Sequence, residues 1–265
     1  LGTAIGLAVR GFKPVVEIQF GDYIWPAFMQ VKDELVHMRY RTDGDWSCPV
    51  VIRVATGGYI RGGLYHSQSI EGYFTHIPGI WVAMPSNAAD AKGLLKTAIR
   101  EDNPVLFCEH KGLYRQQFAA SPEPDEKFLL PFGKGKIKKE GNDITIVTWG
   151  FLVQRSLEAA RKLEEKGVSV EVIDLRTICP WDKEMVLTSV KKTGKVLIVH
   201  EDTRTGGFGA EIGMTIVEEC FEWLDAPLAR VCALDTPIAF APTLENAILP
   251  QEYHITNALE KLTAY

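Results

Sequence analysis

Short apolar strands alternate with amphipathic helices along this sequence, and the alternation runs twice. It begins with a strand at 14–20 and restarts with a strand at 144–148, after a segment at 116–131 that is rich in proline and acidic residues. Alternation of this kind is typical of α/β proteins with parallel sheets. We therefore expect two α/β domains, at 1–115 and 132–265, joined by the linker 116–131.

The composition agrees with this fold and excludes several functional classes. The 265 residues are enough for about two domains, and 46% of them are hydrophobic. Lys and Arg total 29 against 34 Asp and Glu, a net charge of −5 without long runs of one sign, which argues against nucleic-acid binding and disorder. No aliphatic run approaches the ~20 residues of a membrane span. The five cysteines are widely spaced and contain no C-x-x-C pair, which indicates a reducing compartment rather than a disulfide framework or zinc site.

The remaining elements follow from the same patterns of hydrophobic spacing. The segment from Pro26 to about Tyr40 has apolar residues at helical spacing and predicts a helix. The other predicted strands are 50–54, 81–84, 105–108, 168–173, 195–199 and 229–233, and the other predicted helices are 87–100, 152–166, 210–223 and one after Pro180. The opening segment, Leu1 to Val9, is apolar and rich in small residues, and we expect a buried helix whose start lies upstream.

The loop at 57–68, with the sequence GGYIRGGLYHSQ, is the most suggestive stretch for function. Its four glycines let the backbone approach a ligand, and His66 is of a type that titrates near neutral pH. Loops that follow strands often bind ligands in α/β proteins. From the residues alone, a structural role for His66 and a catalytic one both remain open. Tyr23 and Trp25 likewise either stack on a planar ligand or belong to the core.

A second glycine-rich turn, 206–209, lies between a predicted strand and a predicted helix. It lacks the full G-x-G-x-x-G pattern, and the acidic residues Glu201 and Asp202 precede it, so we interpret it as a closely packed structural turn rather than a phosphate site. His200 and Glu201 form either a polar strand end or part of an interface. The other histidines show no metal-ligand spacing and are treated as background: His37, His76, His110 and His254.

Several segments keep a recognisable order along the chain: 17–28 (EIQFGDYIWPAF), 65–69 (YHSQS), 76–80 (HIPGI), 172–177 with 180–182, and 200–201 with 205–208 and 211–212. Together they resemble the beta subunits of thiamine-diphosphate-dependent 2-oxoacid dehydrogenases. The resemblance implies a transketolase-like pyrimidine-binding domain, incomplete at its N-terminus, followed by a transketolase-like C-terminal domain. The segments Arg39-Tyr40-Arg41 and Pro180-Trp181-Asp182 are more similar to the branched-chain, 2-oxoisovalerate type than to the pyruvate type.

This resemblance implies oxidative decarboxylation of a 2-oxoacid, of the branched-chain class, with transfer of the acyl group to lipoyl. A pyruvate-type or transketolase-type specificity and a non-catalytic assembly and docking fragment are the alternatives. The implied cofactor is thiamine diphosphate with magnesium, held mainly by an alpha subunit or fused alpha region, because the motif Gly-Asp-Gly with a following Asn is absent from this sequence. A second beta copy and a lipoyl-bearing acyltransferase core are the other implied partners, in the bacterial cytoplasm or the mitochondrial matrix.

The resemblance also assigns roles to single positions. Tyr23 matches the aromatic residue that packs on the aminopyrimidine ring, with Gln19 nearby. His66 matches the active-site histidine, which transfers a proton or stabilises charge. Some members hold a potassium ion on backbone oxygens, and the matching positions are Val50, Val51, Ala98, Glu101 and Asn103. The region that binds the acyltransferase core is matched by Asp225 and Tyr265.

One expected residue of the family is a glutamate that activates the thiamine ring. By the resemblance it belongs four residues before Leu1, and Glu17 matches a different position in the family. Because thiamine activation needs that carboxylate, we expect residues 1–265 alone not to complete the usual mechanism.

Overall fold

Two five-stranded sheets form the framework of the molecule, and the computed structural model describes every residue from 1 to 265. The strands are β1 (Val15–Ile18), β2 (Val51–Thr56), β3 (Trp81–Ala83), β4 (Val105–His110), β5 (Lys136–Lys139), β6 (Ile144–Thr148), β7 (Val170–Asp174), β8 (Thr177–Cys179), β9 (Val196–Thr203) and β10 (Ala229–Ala233). The α-helices are α1 (Gly2–Val9), α2 (Met38–Arg41), α3 (Glu71–Thr75), α4 (Ala88–Arg100), α5 (Leu152–Glu164), α6 (Lys183–Thr193), α7 (Gly209–Cys220), α8 (Pro242–Ile248) and α9 (Glu252–Thr263). None of these helices has the length and apolar character that crossing a membrane requires.

The strand orders are β1-β2-β4-β3-β8 in the first sheet and β10-β9-β6-β7-β5 in the second. Four strands of each sheet are parallel, which confirms the predicted α/β class. One edge strand of each sheet departs from the parallel arrangement, since β8 pairs antiparallel with β3 and β5 pairs antiparallel with β7. These strands have only three and four residues, too few for a periodic pattern to mark them.

Strand β8 lies in the second half of the chain but completes the first sheet, so the two halves share more than a linker. The segment 116–131 contains a single short 3₁₀ turn, Gln117–Ala119, and no strand or α-helix. The exact division of the chain at that segment stays a prediction.

One predicted helix differs from the structure in its type, and another differs in how much of it is buried. The segment predicted as one helix from Pro26 to about Tyr40 is a 3₁₀ turn at Trp25–Ala27, a π-helix at Gln30–Leu35 and then α2. In the π turn the Val36 N–H reaches back five residues to the Val31 carbonyl, 3.2 Å away. The helix at the opening is confirmed as α1, but only Ala4 and Ala8 are buried, since one stripe of a helix faces the core.

The central strands β6, β7 and β9 are rich in β-branched and other apolar residues and are buried almost throughout, as is usual for parallel strands covered on both faces. The largest core cluster contains residues of both sheets, for example Val54 of β2 and Val147 of β6. The carboxyl ends of β2, β4 and β9 consequently meet between the two halves of the chain. The side chains described next lie in that region.

Candidate active site

His66 and Tyr23 lie side by side at the carboxyl edge of the first sheet. Strands β1 and β2 are paired in parallel with Ile18 opposite Val54, so the loops that follow them are neighbours. The Tyr23 hydroxyl lies 2.7 Å from His66 Nε2, and the Phe20 ring contacts the imidazole edge-on at a centroid distance of 4.6 Å. Tyr23 is 44% exposed. An aromatic ring and an imidazole are therefore available together to a ligand at the end of the sheet.

A partly buried amine lies beneath this pair. Lys111 Nζ lies 5.3 Å from the centroid of the Phe20 ring and donates a hydrogen bond to the Ala55 carbonyl, 3.2 Å away. Burial lowers the pKa of Lys111 to about 8, although the carboxylates of Asp22 and Glu201 work in the opposite direction. Burial also raises the pKa of Asp22. The edge of the sheet thus holds an amine that can change its charge near neutral pH.

His110 and Glu201 form a second, fully buried pair behind the glycine-rich loop. His110 Nε2 lies 2.5 Å from Glu201 Oε2, and the other carboxylate oxygen accepts the Gly58 N–H at 2.5 Å. His110 Nδ1 accepts the Gly112 N–H at 3.1 Å, so the ring proton is on Nε2 and is donated to the carboxylate. Burial alone would raise the pKa of Glu201, but His110, Gly58 and Lys111 outweigh it and hold that pKa below its usual range.

This packing explains the first glycine of the loop. Gly57 has φ +85°, and a Cβ at this position would lie 2.2 Å from His110 Nε2. No other residue type fits here without moving the His110–Glu201 pair.

Glu71 and Asp202 form a third group between the two sheets. Glu71 Oε1 accepts a hydrogen bond from Trp149 Nε1 at 3.2 Å, and its Oε2 is buried without a partner. Burial and the nearby Asp202 carboxylate raise the pKa of Glu71 to about 8, and burial raises the pKa of Asp202 to about 6. Close by, the His200 ring stacks on Trp149 with the planes 4° apart, and burial lowers the pKa of His200 to about 3. The fold therefore favours the neutral forms of Glu71 and His200.

Comparison with known proteins decides the family. Residues 1–117 match the family described as "Transketolase, pyrimidine binding domain" and residues 133–255 match "Transketolase, C-terminal domain". The "2-oxoisovalerate dehydrogenase subunit beta" of Bacillus subtilis (strain 168) is 44% identical over the whole chain and 80% of its own length. The chain belongs to the family of 2-oxoacid dehydrogenase beta subunits. The resemblance stated from the sequence is confirmed.

Two further relatives of this beta subunit extend the comparison. The "Pyruvate dehydrogenase E1 component subunit beta" of Staphylococcus epidermidis is 42% identical over 96% of this chain and 77% of its own length. A solved structure titled "Split gene transketolase, inactive beta4 tetramer" superposes with a TM-score of 0.80 at 25% identity, covering 99% of this chain and 80% of the other. The transketolase-like fold is thereby confirmed, and the family is one of enzymes.

The structure of this beta subunit brings together some of the predicted site residues. Tyr23 and His66 are in contact, and Gln19 lies one residue after β1 with an exposed side chain. Asp225 is exposed beside the C-terminal end of α6, where its N–H donates to the Gly194 carbonyl. Tyr265 is exposed after α9. The roles assigned to these residues stay predictions.

The residues matched to potassium binding lie at one place, where β2 starts and α4 ends. The Val50 carbonyl already accepts the Val105 N–H at 3.0 Å. At the end of α4, Lys13 Nζ lies 2.8 Å from the Arg100 carbonyl oxygen and 3.0 Å from that of Glu101. A cation at the C-terminal end of a helix is favourable, because unpaired carbonyls and the helix dipole are negative there. The ammonium group of Lys13 fulfils that role here.

Several buried residues of this site were not singled out as functional from the sequence. His110 was treated as background and Glu71 was not considered, yet each makes a buried hydrogen bond to the other half of the chain. One signal could have identified His110: it ends β4, the strand beside β2, so it had to face the glycine-rich loop. The interpretation of 206–209 as a close-packed turn is confirmed, since a Cβ at Gly207 or Gly209 would lie 2.5 Å from the His200 ring.

Proposed function

We propose that this beta subunit, in its assembled enzyme, supports the oxidative decarboxylation of a branched-chain 2-oxoacid and transfer of the acyl group to lipoyl. One observation carries the proposal: a half-exposed aromatic ring and a histidine share a hydrogen bond at the open edge of the first sheet, in a chain of this family. The branched-chain class is supported by the 44% identity to the Bacillus subtilis 2-oxoisovalerate subunit. Pyruvate is the second candidate, because a pyruvate dehydrogenase beta subunit is 42% identical.

The residues present fit the ring portion of thiamine diphosphate. Tyr23 offers a half-exposed ring for stacking, and near it the side-chain oxygens Asp22 Oδ2 and Ser67 Oγ are buried without partners. The cofactor, when bound, supplies the carbanion chemistry of decarboxylation. The chain's own contribution is His66, whose Nε2 lies 2.7 Å from Tyr23 Oη and can hold or release a proton there.

Magnesium, in contrast to the thiamine ring, finds no set of ligands in this chain. No three His, Cys, Asp or Glu side chains of this chain converge on a point that could hold a metal ion. We propose that an alpha subunit, or a fused alpha region, supplies the ligands for magnesium and diphosphate. Two of the potassium residues already have hydrogen-bonded carbonyl oxygens, since Glu101 accepts from Lys13 Nζ and Val50 accepts the Val105 N–H.

We further propose two macromolecular contacts beyond the alpha partner. A second copy of the beta subunit completes the enzyme, and Asp225 and Tyr265 belong to the surface that meets the lipoyl-bearing acyltransferase core. Both side chains are exposed, as a docking role requires. The proposed location is the cytoplasm for a bacterial source and the mitochondrial matrix for a eukaryotic one.

Calorimetry and turnover test this function together. The chain and a version extended upstream are each titrated with thiamine diphosphate and magnesium, with and without an alpha partner, and then given 3-methyl-2-oxobutanoate or pyruvate. We expect the extended, partnered form to bind the cofactor and to decarboxylate the branched substrate with the higher kcat/KM. Higher kcat/KM with pyruvate would support the second candidate. Binding to the acyltransferase core without any binding of cofactor would instead indicate an assembly and docking fragment.

A further inference from the structure

The backbone of the loop that carries His66 adopts an unfavourable conformation at two positions. Tyr59 has φ 60° and Arg61 has φ 59°, both in the left-handed region that residues other than glycine rarely adopt. Such residues persist only where surrounding structure holds them, and they concentrate at functional sites. The contacts of this loop therefore indicate what holds it.

Two buried carboxylates from the second half of the chain bind the backbone at these positions. Glu201, on β9, accepts the Gly58 N–H at 2.5 Å, and Glu245, in α8, accepts the Arg61 N–H at 3.0 Å. Glu201 is 5% exposed and Glu245 is 3% exposed. Hydrogen bonds from a backbone N–H group to a carboxylate are charge-assisted and stronger than those between neutral groups. The two bonds, at Gly58 and Arg61, lie on either side of Tyr59.

Other contacts from the same half of the chain follow the loop toward His66. The Tyr59 hydroxyl donates to the Pro250 carbonyl at 2.7 Å, and the Arg155 guanidinium lies 4.4 Å from the centroid of the Tyr59 ring. At Gly63, where φ is +68°, the nearest neighbour of an added Cβ would be Phe240, at 3.4 Å. Three residues later the loop reaches His66, whose ring contacts Tyr23 and Phe20.

We propose that Glu201 and Glu245 are positioning residues that fix the loop 58–66, and through it His66, from the second half of the chain. The inference rests on the proposed function, in which His66 acts on the bound substrate. It assigns the second half of the chain a direct part in the active site beyond assembly. Neither carboxylate is within the Tyr23–His66 pair, so both act through the backbone.

Glu245 gives the cleaner test, because Glu201 also binds His110. Glu245→Ala removes the acceptor for Arg61, whereas Glu245→Gln keeps an oxygen of the same reach. Glu171→Gln is the matched control, since Glu171 is a buried carboxylate of the same half that pairs with Lys192 and does not contact the loop.

Misplacement of a reacting group by about 1 Å can cost ~100-fold in rate. In the assembled enzyme we expect Glu245→Ala to lower kcat by about 10- to 100-fold with little change in KM, and Glu245→Gln to restore most of it.

A second readout does not depend on activity. Arg61 is exposed and is followed by Gly62, so the peptide bond after it is a possible trypsin site. Cleavage needs the backbone of the loop to leave its folded conformation, and its rate therefore reports how firmly the loop is held. We expect cleavage after Arg61 to be slow in the wild-type chain and in Glu171→Gln, and faster in Glu245→Ala. Amide hydrogen exchange of Gly58 and Arg61 in the wild-type chain gives the same information where Glu245→Ala does not fold, and we expect both amides to be protected.

The outcomes separate this proposal from the proposed function. Wild-type kcat and wild-type cleavage in Glu245→Ala would overturn the positioning role, and so would unprotected Gly58 and Arg61 amides. An equal loss of kcat in Glu171→Gln would assign the effect to general destabilisation and would also overturn it. A wild-type enzyme without 2-oxoacid decarboxylation would refute the proposed function, while cleavage and exchange would still report whether Glu245 holds the loop.

Discussion

Two groups of titratable side chains flank the glycine-rich loop, and they differ in burial and pairing. On one side, Tyr23 and His66 are partly exposed and bind mainly each other. On the other side, His110, Glu201 and Glu71 are buried and hydrogen-bonded across the two halves of the chain. Burial raises the pKa of Glu71, and His110 and the Gly58 N–H lower that of Glu201, so the fold itself sets the charge of these buried carboxyls and suits them to hold a shape. In the roles proposed above, the buried group holds the backbone of the loop that presents the exposed pair.

Removal of the exposed imidazole should give the largest effect on activity. We expect His66→Ala to lower kcat by about 100- to 10,000-fold, the usual contribution of a general acid or base. Its melting temperature should stay close to that of the wild type, because His66 is only half-buried. Steady-state decarboxylation and thermal unfolding of the assembled enzyme measure both, with exposed His37→Ala as the control. A kcat within a few-fold of the wild type would contradict the division of roles between the two groups.

The buried group should control stability instead, in a way that depends on pH. Burial and Asp202 raise the pKa of Glu71 from the usual 4.5 to about 8. Between these pH values the folded state keeps a proton that the unfolded chain releases, so this carboxyl lowers the free energy of unfolding as pH rises toward 8. We expect Glu71→Gln to be more stable than the wild type at pH 8, by on the order of a few kcal/mol, and to lose that advantage at pH 4.

Urea unfolding across that pH range measures the effect. Glu218→Gln, at an exposed position of α7, is the matched control and should leave the pH dependence unchanged. If Glu71→Gln is as sensitive to pH as the wild type, the Glu71 carboxyl does not hold the extra proton, and the fold does not set the charge of the buried group at this residue.

The hydrogen bond within the exposed pair should have a smaller effect. Tyr23→Phe keeps the ring and removes the hydroxyl that lies 2.7 Å from His66 Nε2. The net worth of such a bond is about 1 kcal/mol, so we expect kcat to fall by roughly five- to tenfold and the affinity for thiamine diphosphate to change little. Tyr23→Ala should weaken cofactor binding as well, because it removes the ring. Equal affinities in the two variants would show that the ring does not contact the cofactor.

The sequence predicted the local part of this molecule well and its long-range contacts poorly. Strand β6 was expected at 144–148 and lies at Ile144–Thr148, because a continuous apolar run bounded by polar residues has few alternatives. Strand β8 carries no such pattern, and the antiparallel partner that makes it a strand, β3, lies almost a hundred residues away in the other half of the chain.

The candidate site shows the same difference between local patterns, which the sequence reveals, and long-range contacts, which it does not. Tyr23 and His66 were identified because each lies in a segment with a recognisable motif. The Gly58–Glu201 bond spans 143 residues, and it exists only because the ends of β2 and β9 meet. His110 was overlooked because a lone histidine at a strand end has no distinctive spacing. Contacts between sheets depend on topology, which residue patterns do not report.

The smallest expected effect concerns the Lys13 ammonium group at the end of α4, which belongs neither to the exposed pair nor to the buried group. Lys13 Nζ lies within 3.0 Å of two backbone oxygens there and 3.3 Å from Asp102 Oδ1. If this ammonium replaces potassium, exchanging sodium for potassium in the buffer should leave the wild-type melting temperature unchanged. The same exchange should raise that of Lys13→Met by a few degrees, as binding worth about 1 kcal/mol would do. Equal stabilisation of both proteins by potassium would show that the ion binds beside Lys13, and the site matched to Val50, Val51, Ala98, Glu101 and Asn103 would then stand.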